Sequence, residues 1–235
     1  MQRVRLFLAL LLVLAASANA KPADVISPRV TGEEINAYVD VLVEEVKRLI
    51  IEQGLEPYML PDLVRGFSFT DLLGIVWHGE ASLTRGNLIG LLTLHRVGDM
   101  DITPAGNNLT VRGQLGFTTL QFDYMFEATF MDLGPTGEAI GIIENTRLAF
   151  TMVIDLTTGR GTLIEEDFNI ADVGKISIDI KGLGFGLNWL AEVFVNLFVD
   201  VFKGVIIWLI EDEVFLLLQQ AISNIIFGFI FGAVM

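Results

Sequence analysis

Between Leu187 and Gln220 the chain carries an almost unbroken apolar run. Leu187, Trp189, Leu190, Val193, Phe194, Leu197, Phe198, Val201, Phe202, Val205, Ile206 and Leu209 recur through its first two-thirds. Polar residues interrupt that stretch at Asn188, Glu192, Asn196, Asp200 and Lys203, mostly four apart. At about 100° per residue these fall in one narrow stripe of a helix, leaving an apolar arc well over half the circumference. An ordinary surface helix buries a narrower face. This run demands apolar neighbours on nearly every side, so the chain must either build a shell around it or hand it to lipid. Continued to Gln220 it predicts a helix roughly 50 Å long, with Gly204 as its weak point.

Lipid suits the run poorly. Glu192, Asp200 and Lys203 would each cost a few kcal/mol or more at the centre of a bilayer. Glu211-Asp212-Glu213 then closes off any single span. The tail from Val214 to Met235 has the length of a span and no charge. Gln219, Gln220, Ser223 and Asn224 nevertheless cluster near its middle, and no basic flank lies beyond it. It is read as a packed tail, with a membrane anchor as the alternative.

The N-terminus sets the compartment. Arg3 and Arg5, an apolar run from Leu6 to Ala16, and Ala18-Asn19-Ala20 come in the order of a secretory signal peptide. Residues 1–20 are therefore expected to be removed, leaving residues 21–235 as a single secreted, extracellular domain with room for a sizeable core. The formal charge of the full chain is −14, and loss of Arg3 and Arg5 makes it two units more negative. Such a surface argues against nucleic acid and anionic membranes as partners. The chain has no cysteine, so the domain must be held by burial without the disulfides common in small secreted proteins.

The expected shell begins with a helix. Thr31 and Glu34 form a capping box, and Ile35, Tyr38, Val39, Leu42, Val46, Leu49 and Ile50 recur at helical spacing. Gly54 ends the helix, and Pro57 and Pro61 keep the next segment non-helical. From about Ile75 to Ile180 the period falls to two, as in half-buried antiparallel strands. Leu109, Val111, Leu115 and Phe117 form one strand face, with Gly113 and Gly116 allowing a bend. Leu120, Phe122, Tyr124, Phe126, Ala128 and Phe130 form the next. Ile140, Ile142, Leu148, Phe150, Met152, Ile154 and Leu156 continue the pattern, and Phe168, Ile170, Ile176, Ile178 and Ile180 supply one or two strands more. Turns are expected at Pro104-Ala105-Gly106-Asn107, Gly134-Pro135-Thr136-Gly137 and Thr158-Gly159-Arg160-Gly161. The fold class is thus α+β: an antiparallel sheet with one apolar face, an amphipathic N-terminal helix and a long hydrophobic C-terminal helix.

Three motifs carry a resemblance. Thr31-Gly-Glu-Glu-Ile-Asn36, Glu56-Pro-Tyr-Met-Leu-Pro-Asp62 and Arg96-Val-Gly-Asp99, with the C-terminal helix in the corresponding place, resemble the group-seven mite allergens and their arthropod relatives over nearly all of the chain after residue 20. That family is placed in the tubular lipid-binding (TULIP) superfamily, with bactericidal/permeability-increasing protein and the insect juvenile-hormone-binding and takeout proteins. The resemblance implies a strongly curved antiparallel sheet wrapped around the long helix, as a single module. Takeout-like members carry an N-terminal cysteine pair, which this chain lacks; the mite-allergen-like branch fits better.

Catalysis finds little support. A thiol mechanism is excluded, and with histidine only at His78 and His95 a Ser-His-acid triad or a histidine metal site is poorly supplied. Gly182-Leu-Gly-Phe-Gly186 has Leu187 where a dinucleotide fingerprint needs its third glycine, and is read as a tight strand-to-helix connection. Glu165-Glu166-Asp167 and Glu211-Asp212-Glu213 lack the spacing of a calcium loop and are read as solvated edges. No enzyme activity, metal or cofactor is expected.

The expected function is a carrier of hydrophobic small molecules such as fatty acids, lipids or terpenoids. The ligand would lie between the sheet face (Leu115, Phe117, Leu120, Phe122, Tyr124, Phe126, Phe130, then Phe150, Met152, Ile154) and Phe194, Phe198 and Phe202 of the helix. The alternative is an interaction protein with a dry core whose C-terminal helix docks on a partner or a membrane surface. Composition alone leaves both open, and the resemblance tips the choice to the carrier. Asn108-Leu-Thr110 is a glycosylation sequon at an expected turn. Material from a eukaryotic secretory host should begin at Lys21 by N-terminal sequencing and lose mass on glycosidase treatment through Asn108. Retention of residues 6–16 would refute the expected compartment.

Overall fold

In the computed structural model, residues 30–70, 73–129, 134–183, 194–199, 204 and 206–230 are described. Residues Thr31–Met235 cluster into one unit and Met1–Val30 into another. The segment read as a signal peptide, Phe130, Phe202 and most of the run from Leu187 to Val205 lie outside the described residues.

Helix α1 spans Gly32–Glu52. Its capping box forms as the sequence predicts, with the Thr31 N–H donating to Glu34 Oε2 at 2.7 Å and the Glu34 N–H to Thr31 Oγ1 at 3.2 Å. At the other end Gly54 takes φ 67°. The Gly54 N–H reaches the Ile51 carbonyl and the Leu55 N–H the Ile50 carbonyl, a Schellman close that satisfies two otherwise unpaired acceptors. The buried stripe is Ile35, Tyr38, Val39, Leu42, Val43, Val46, Leu49 and Ile50.

Among the described residues nine antiparallel strands form one sheet that curls into a half-barrel. They are β1 (Tyr58–Leu60), β2 (Leu63–Thr70), β3 (Val76–Ile89), β4 (Leu94–Ala105), β5 (Asn108–Thr129), β6 (Thr136–Asp155), β7 (Arg160–Leu163), β8 (Asn169–Asp172) and β9 (Lys175–Lys181). β5 and β6 pair along almost their whole length. On one side of them β3 and β4 share the flank of β5, and on the other β7, β8 and β9 share the flank of β6. β1 and β2 close the outer edge of β3. The turns at Gly106-Asn107 and around Gly159 sit where the sequence places them, while β1 and β2 went unread there because Pro57 and Pro61 mask so short a first strand.

The two strand faces read separately at Leu109–Phe117 and Leu120–Ala128 belong to one strand, β5. Its buried apolar side chains are odd-numbered up to Phe117 and even-numbered from Leu120 onward. β6 switches at the same rung, from Thr146 and Leu148 to Ile143, Gly141 and Ala139. Phe117 pairs with Thr146 and Thr119 with Glu144, while Thr118 and Asn145 drop out of the ladder and Asn145 takes φ 62°. One irregular residue on each strand leaves the register intact but shifts the inward phase of both by one. Ile140 and Ile142, expected on the inner face, are consequently half-buried on the other phase.

The C-terminal run is helical over 194–199, has π-helical geometry at Gly204 and Ile206, and continues as α2 (Ile207–Asn224). A wide turn at the glycine agrees with the weak point read from sequence. α2 ends four residues beyond Gln220, where Ile225 turns extended. Among the described residues no helix is long and apolar enough to cross a membrane. The tail instead docks. Tyr38 donates its hydroxyl to the Ile225 carbonyl at 3.2 Å, its ring meets Phe227 edge-on at 5.2 Å, and the Phe227 N–H reaches the Gly159 carbonyl. Burial pushes the Tyr38 phenol up to about 12. Glu211, expected as a solvated edge, is half-buried and accepts the Ile170 N–H of β8 at 3.0 Å.

The break between β3 and β4 is held by a carboxylate. Gly90, at φ 103°, opens a 3-10 turn, and Glu56 accepts the Gly90 and Leu91 N–H groups at 2.6 and 3.0 Å. Glu56→Ala would leave both donors unpaired in a part-buried site, so a loss of about 2 kcal/mol in denaturant unfolding is expected. Glu56→Gln, which keeps one acceptor oxygen, should lose about half of that.

Candidate ligand-binding site

Leu120, Phe122, Tyr124, Phe126 and Ala128 of β5 are each at most 2% exposed. Three of them meet the 194–199 helical segment. Phe126 lies 4.4 Å from Phe194 between ring centroids, Phe122 lies 5.9 Å from Phe198, and Tyr124 lies 6.1 Å from Phe198. Four helical residues rise about 6 Å and two strand residues about 6.7 Å. Rings spaced i, i+4 on the helix can therefore keep step with rings spaced i, i+2 on the strand.

The neighbouring strands supply glycine beneath these rings. Phe122 is paired with Gly141 and Phe126 with Gly137 on β6. A Cβ at Gly137 would come within 2.8 Å of the Phe126 ring, and one at Gly141 or Gly86 would stand well inside the closest real contacts with Phe122 and Tyr124. The rings therefore lie down on the backbone of the adjacent strand instead of standing off the sheet. Tyr124 also donates its hydroxyl to the Pro61 carbonyl at 3.1 Å. Burial, reinforced by the Asp62 charge, raises its pKa, so it stays a neutral donor.

The residues expected to line the site fall into two groups. Leu120, Phe122, Tyr124 and Phe126 are buried on the half of the face that Phe194 and Phe198 cover. Leu115, Phe117, Phe150, Met152 and Ile154 are also buried, but in the other half of the sheet. There Met100 lies over Gly113 beside Phe150, and α2 brings Ile222 against Gly161 of β7, next to Met152. The inner face is thus one apolar surface with two covers. Sequence reasoning missed Leu83, Leu88, Gly137 and Gly141, since glycine carries no hydropathy signal and β3 alternates weakly.

Burial along the face falls off toward its margins. Its middle columns, from Ala81 and Leu83 to Ile143, are buried. At one margin Leu63 and Phe67 of β2 are half-buried; at the other so are Ile178 and Ile180 of β9, and Ile176 is 38% exposed. The register places all of them in phase with the inner face: Leu63 opposite Leu83, Phe67 opposite Gly79, Ile176 opposite Ile143.

The profile of the Group 7 allergen family matches residues 34–222. The chain belongs to that family. No curated protein sequence matches it significantly. Among solved structures it is similar to lipopolysaccharide binding protein, with TM-score 0.43 and 14% identity, over 80% of this chain and 36% of that one. It is also similar to Takeout 1 of Epiphyas postvittana, with TM-score 0.34 and 16% identity, over 83% of this chain and 90% of that one. The chain spans about a third of the lipopolysaccharide binding protein structure.

The motifs that carry the resemblance become contacts here. Arg96 pairs through Nε with Asp40 of α1 at 2.8 Å, and Asn36 bridges the Asp99 side chain and the Met100 N–H, both at 2.9 Å. The segment Glu56–Asp62 caps the β3–β4 break through Glu56 and holds the Arg85 N–H through Asp62. Both histidines are on exposed positions, and among the described residues no group of acids and histidines could hold a metal ion. Gly141→Val should force the Phe122 ring off β6 and cost about 2–3 kcal/mol by overpacking. Phe122→Ala in the same chain should recover part of it, read from denaturant midpoints of the single and double variants.

Proposed function

We propose that this protein is a secreted, non-enzymatic binder of apolar small molecules of the fatty acid, lipid or terpenoid class, held between the sheet's inner face and the C-terminal helical run. The observation that carries the reading is the apolar margin of the inner face, where Phe67, Ile178 and Ile180 are half-buried and Ile176 is exposed. Side chains of that kind left partly open along a curved sheet are costly in water and are relieved by a ligand of matching polarity. Each methylene transferred there is worth about 0.8 kcal/mol, so a chain of a dozen carbons supplies ample gross binding energy with few polar contacts. Membership of the Group 7 allergen family supports the same reading. Secretion rests on the pattern of residues 1–20, and a glycan at Asn108 on that residue's exposed place at the β4–β5 turn.

Mass spectrometry of an organic extract of the purified protein should reveal co-purifying apolar molecules. The delipidated protein should bind a neutral fluorescent probe that long-chain compounds displace. Absence of both would favour an interaction protein with a dry core.

A further inference from the structure

The hairpin that joins β2 to β3 ends in aliphatic side chains. Leu73 is 85% exposed, Ile75 50% and Val76 51%. Gly74 between them takes φ 80°, and a Cβ there would meet nothing within 4 Å, so the apex projects into open space. Among the described residues β3 has β5 beside it only as far as the pair Glu80–Thr129. Val76 to Gly79 run on for about 13 Å beyond that pair, with β2 as their ladder partner.

The chemistry changes along this overhang. Behind the apex Ser68, Thr70, His78 and Glu80 are exposed and polar. Asp71, outside the described residues, is the only carboxylate between Arg65 and Glu80 in sequence. Val76 shares the outer phase with His78 and Glu80, whereas the half-buried Trp77 is in phase with Ala81 and Leu83 on the inner side. Apolar residues thus occupy both phases at the tip, while from His78 to Thr84 they keep to the inner one. A bound ligand or a docked protein would cover one side of such a two-stranded ribbon. Three aliphatic side chains also fall well short of the roughly 800 Å² per partner that a stable protein complex buries. Lipid, which surrounds an inserted ribbon, satisfies both sides at once.

We infer that the β2–β3 hairpin docks the protein on a lipid surface of zwitterionic, net-neutral headgroups by inserting Leu73, Ile75 and Val76 at the boundary between headgroup and acyl chain. Insertion to about 5–10 Å buries that apex and leaves Ser68 and His78 among the headgroups, the layer that also suits the indole of Trp77. Charge selects the surface. The chain's net charge of −14 opposes approach to anionic lipid, and an aliphatic tip needs no counter-charge. The inner face begins beside the tip, where Phe67 pairs with Gly79, so docking brings that face to the lipid; the docking itself does not depend on the binder reading above.

The test is co-sedimentation of the purified protein with vesicles of phosphatidylcholine, alone or mixed with phosphatidylserine. The wild type should partition onto the neutral vesicles with little dependence on salt, and more weakly onto the mixed ones at low salt. Leu73→Glu should weaken partitioning about tenfold or more, because it removes an inserted apolar group and brings a charge to the boundary. Met59→Glu is the control, at an open methionine (69% exposed) paired with Asn87 toward the other end of β3, and should bind vesicles as the wild type does. Uptake of N-phenylnaphthylamine, a neutral probe, should be unchanged in both variants, which shows that they are folded and separates docking from ligand binding. Absence of vesicle binding by the wild type, preference for the mixed vesicles, or equal weakening by Met59→Glu would overturn the inference without touching the binder reading. A dimer in sedimentation velocity that Leu73→Glu dissolves, without vesicle binding, would also overturn it by making a second copy the occupant.

Discussion

Aromatic rings lying flat on strand backbone hold the two layers of this protein at contact distance. Phe122, Tyr124 and Phe126 each rest over a glycine of a neighbouring strand, and their other faces receive Phe198 and Phe194. Removing the Cβ from the partner position lets one ring fill the space between sheet and helix. With a side chain at Gly137 or Gly141 the rings would have to stand up, and the helix could not approach. The glycines weaken the sheet locally, and the ring contact above them offsets that loss by burying apolar area on both sides.

A curled sheet of this kind has edges and breaks that must be closed, and polar side chains close them. α1 is fastened to β4 through Asn36, Asp40 and Arg96, and Glu56 caps the turn where β3 gives way to β4. α2 uses Glu211 to satisfy the Ile170 donor of β8. The three motifs that carry the resemblance thus serve mostly as backbone clasps and not as reactive groups. The lining itself is free to vary in detail because hydrophobic contact is non-directional. Lys175 and Lys181, at the two ends of the edge strand β9, give it the charge that deters further strand pairing.

Much of the fold was legible because its signals are local. The capping box at Thr31 and Glu34, the stop at Gly54 and the alternation from Leu120 to Ala128 each depend on residues a few positions apart. The ring cluster of Phe122, Tyr124, Phe126, Phe194 and Phe198 was readable for the same reason, since period two and period 3.6 name the inward residues of each element separately. What could not be read was the paired irregularity at Thr118 and Asn145. It shifts the phase of two strands at once, so Leu109–Phe117 and Leu120–Ala128 looked like different strands and Ile140 and Ile142 looked inward.

The sequence by itself determined the classes of element, the apolar surplus of the C-terminal run and the identity of most rings that fill the interior. Those come from hydropathy and periodicity, which are properties of neighbouring residues. Tertiary structure decided which strand lies beside which, that glycines sit under the rings, and that the inner face is less deeply buried at β2 and β9. It also decided that Arg65, one charge in an otherwise ordinary strand, stands in the apolar phase. These are facts about partners far apart in the chain, such as Arg65 with Ala81 and Ala81 with Ala128, which only register can join. A strand's sequence names its two faces; the partner decides which of them looks inward.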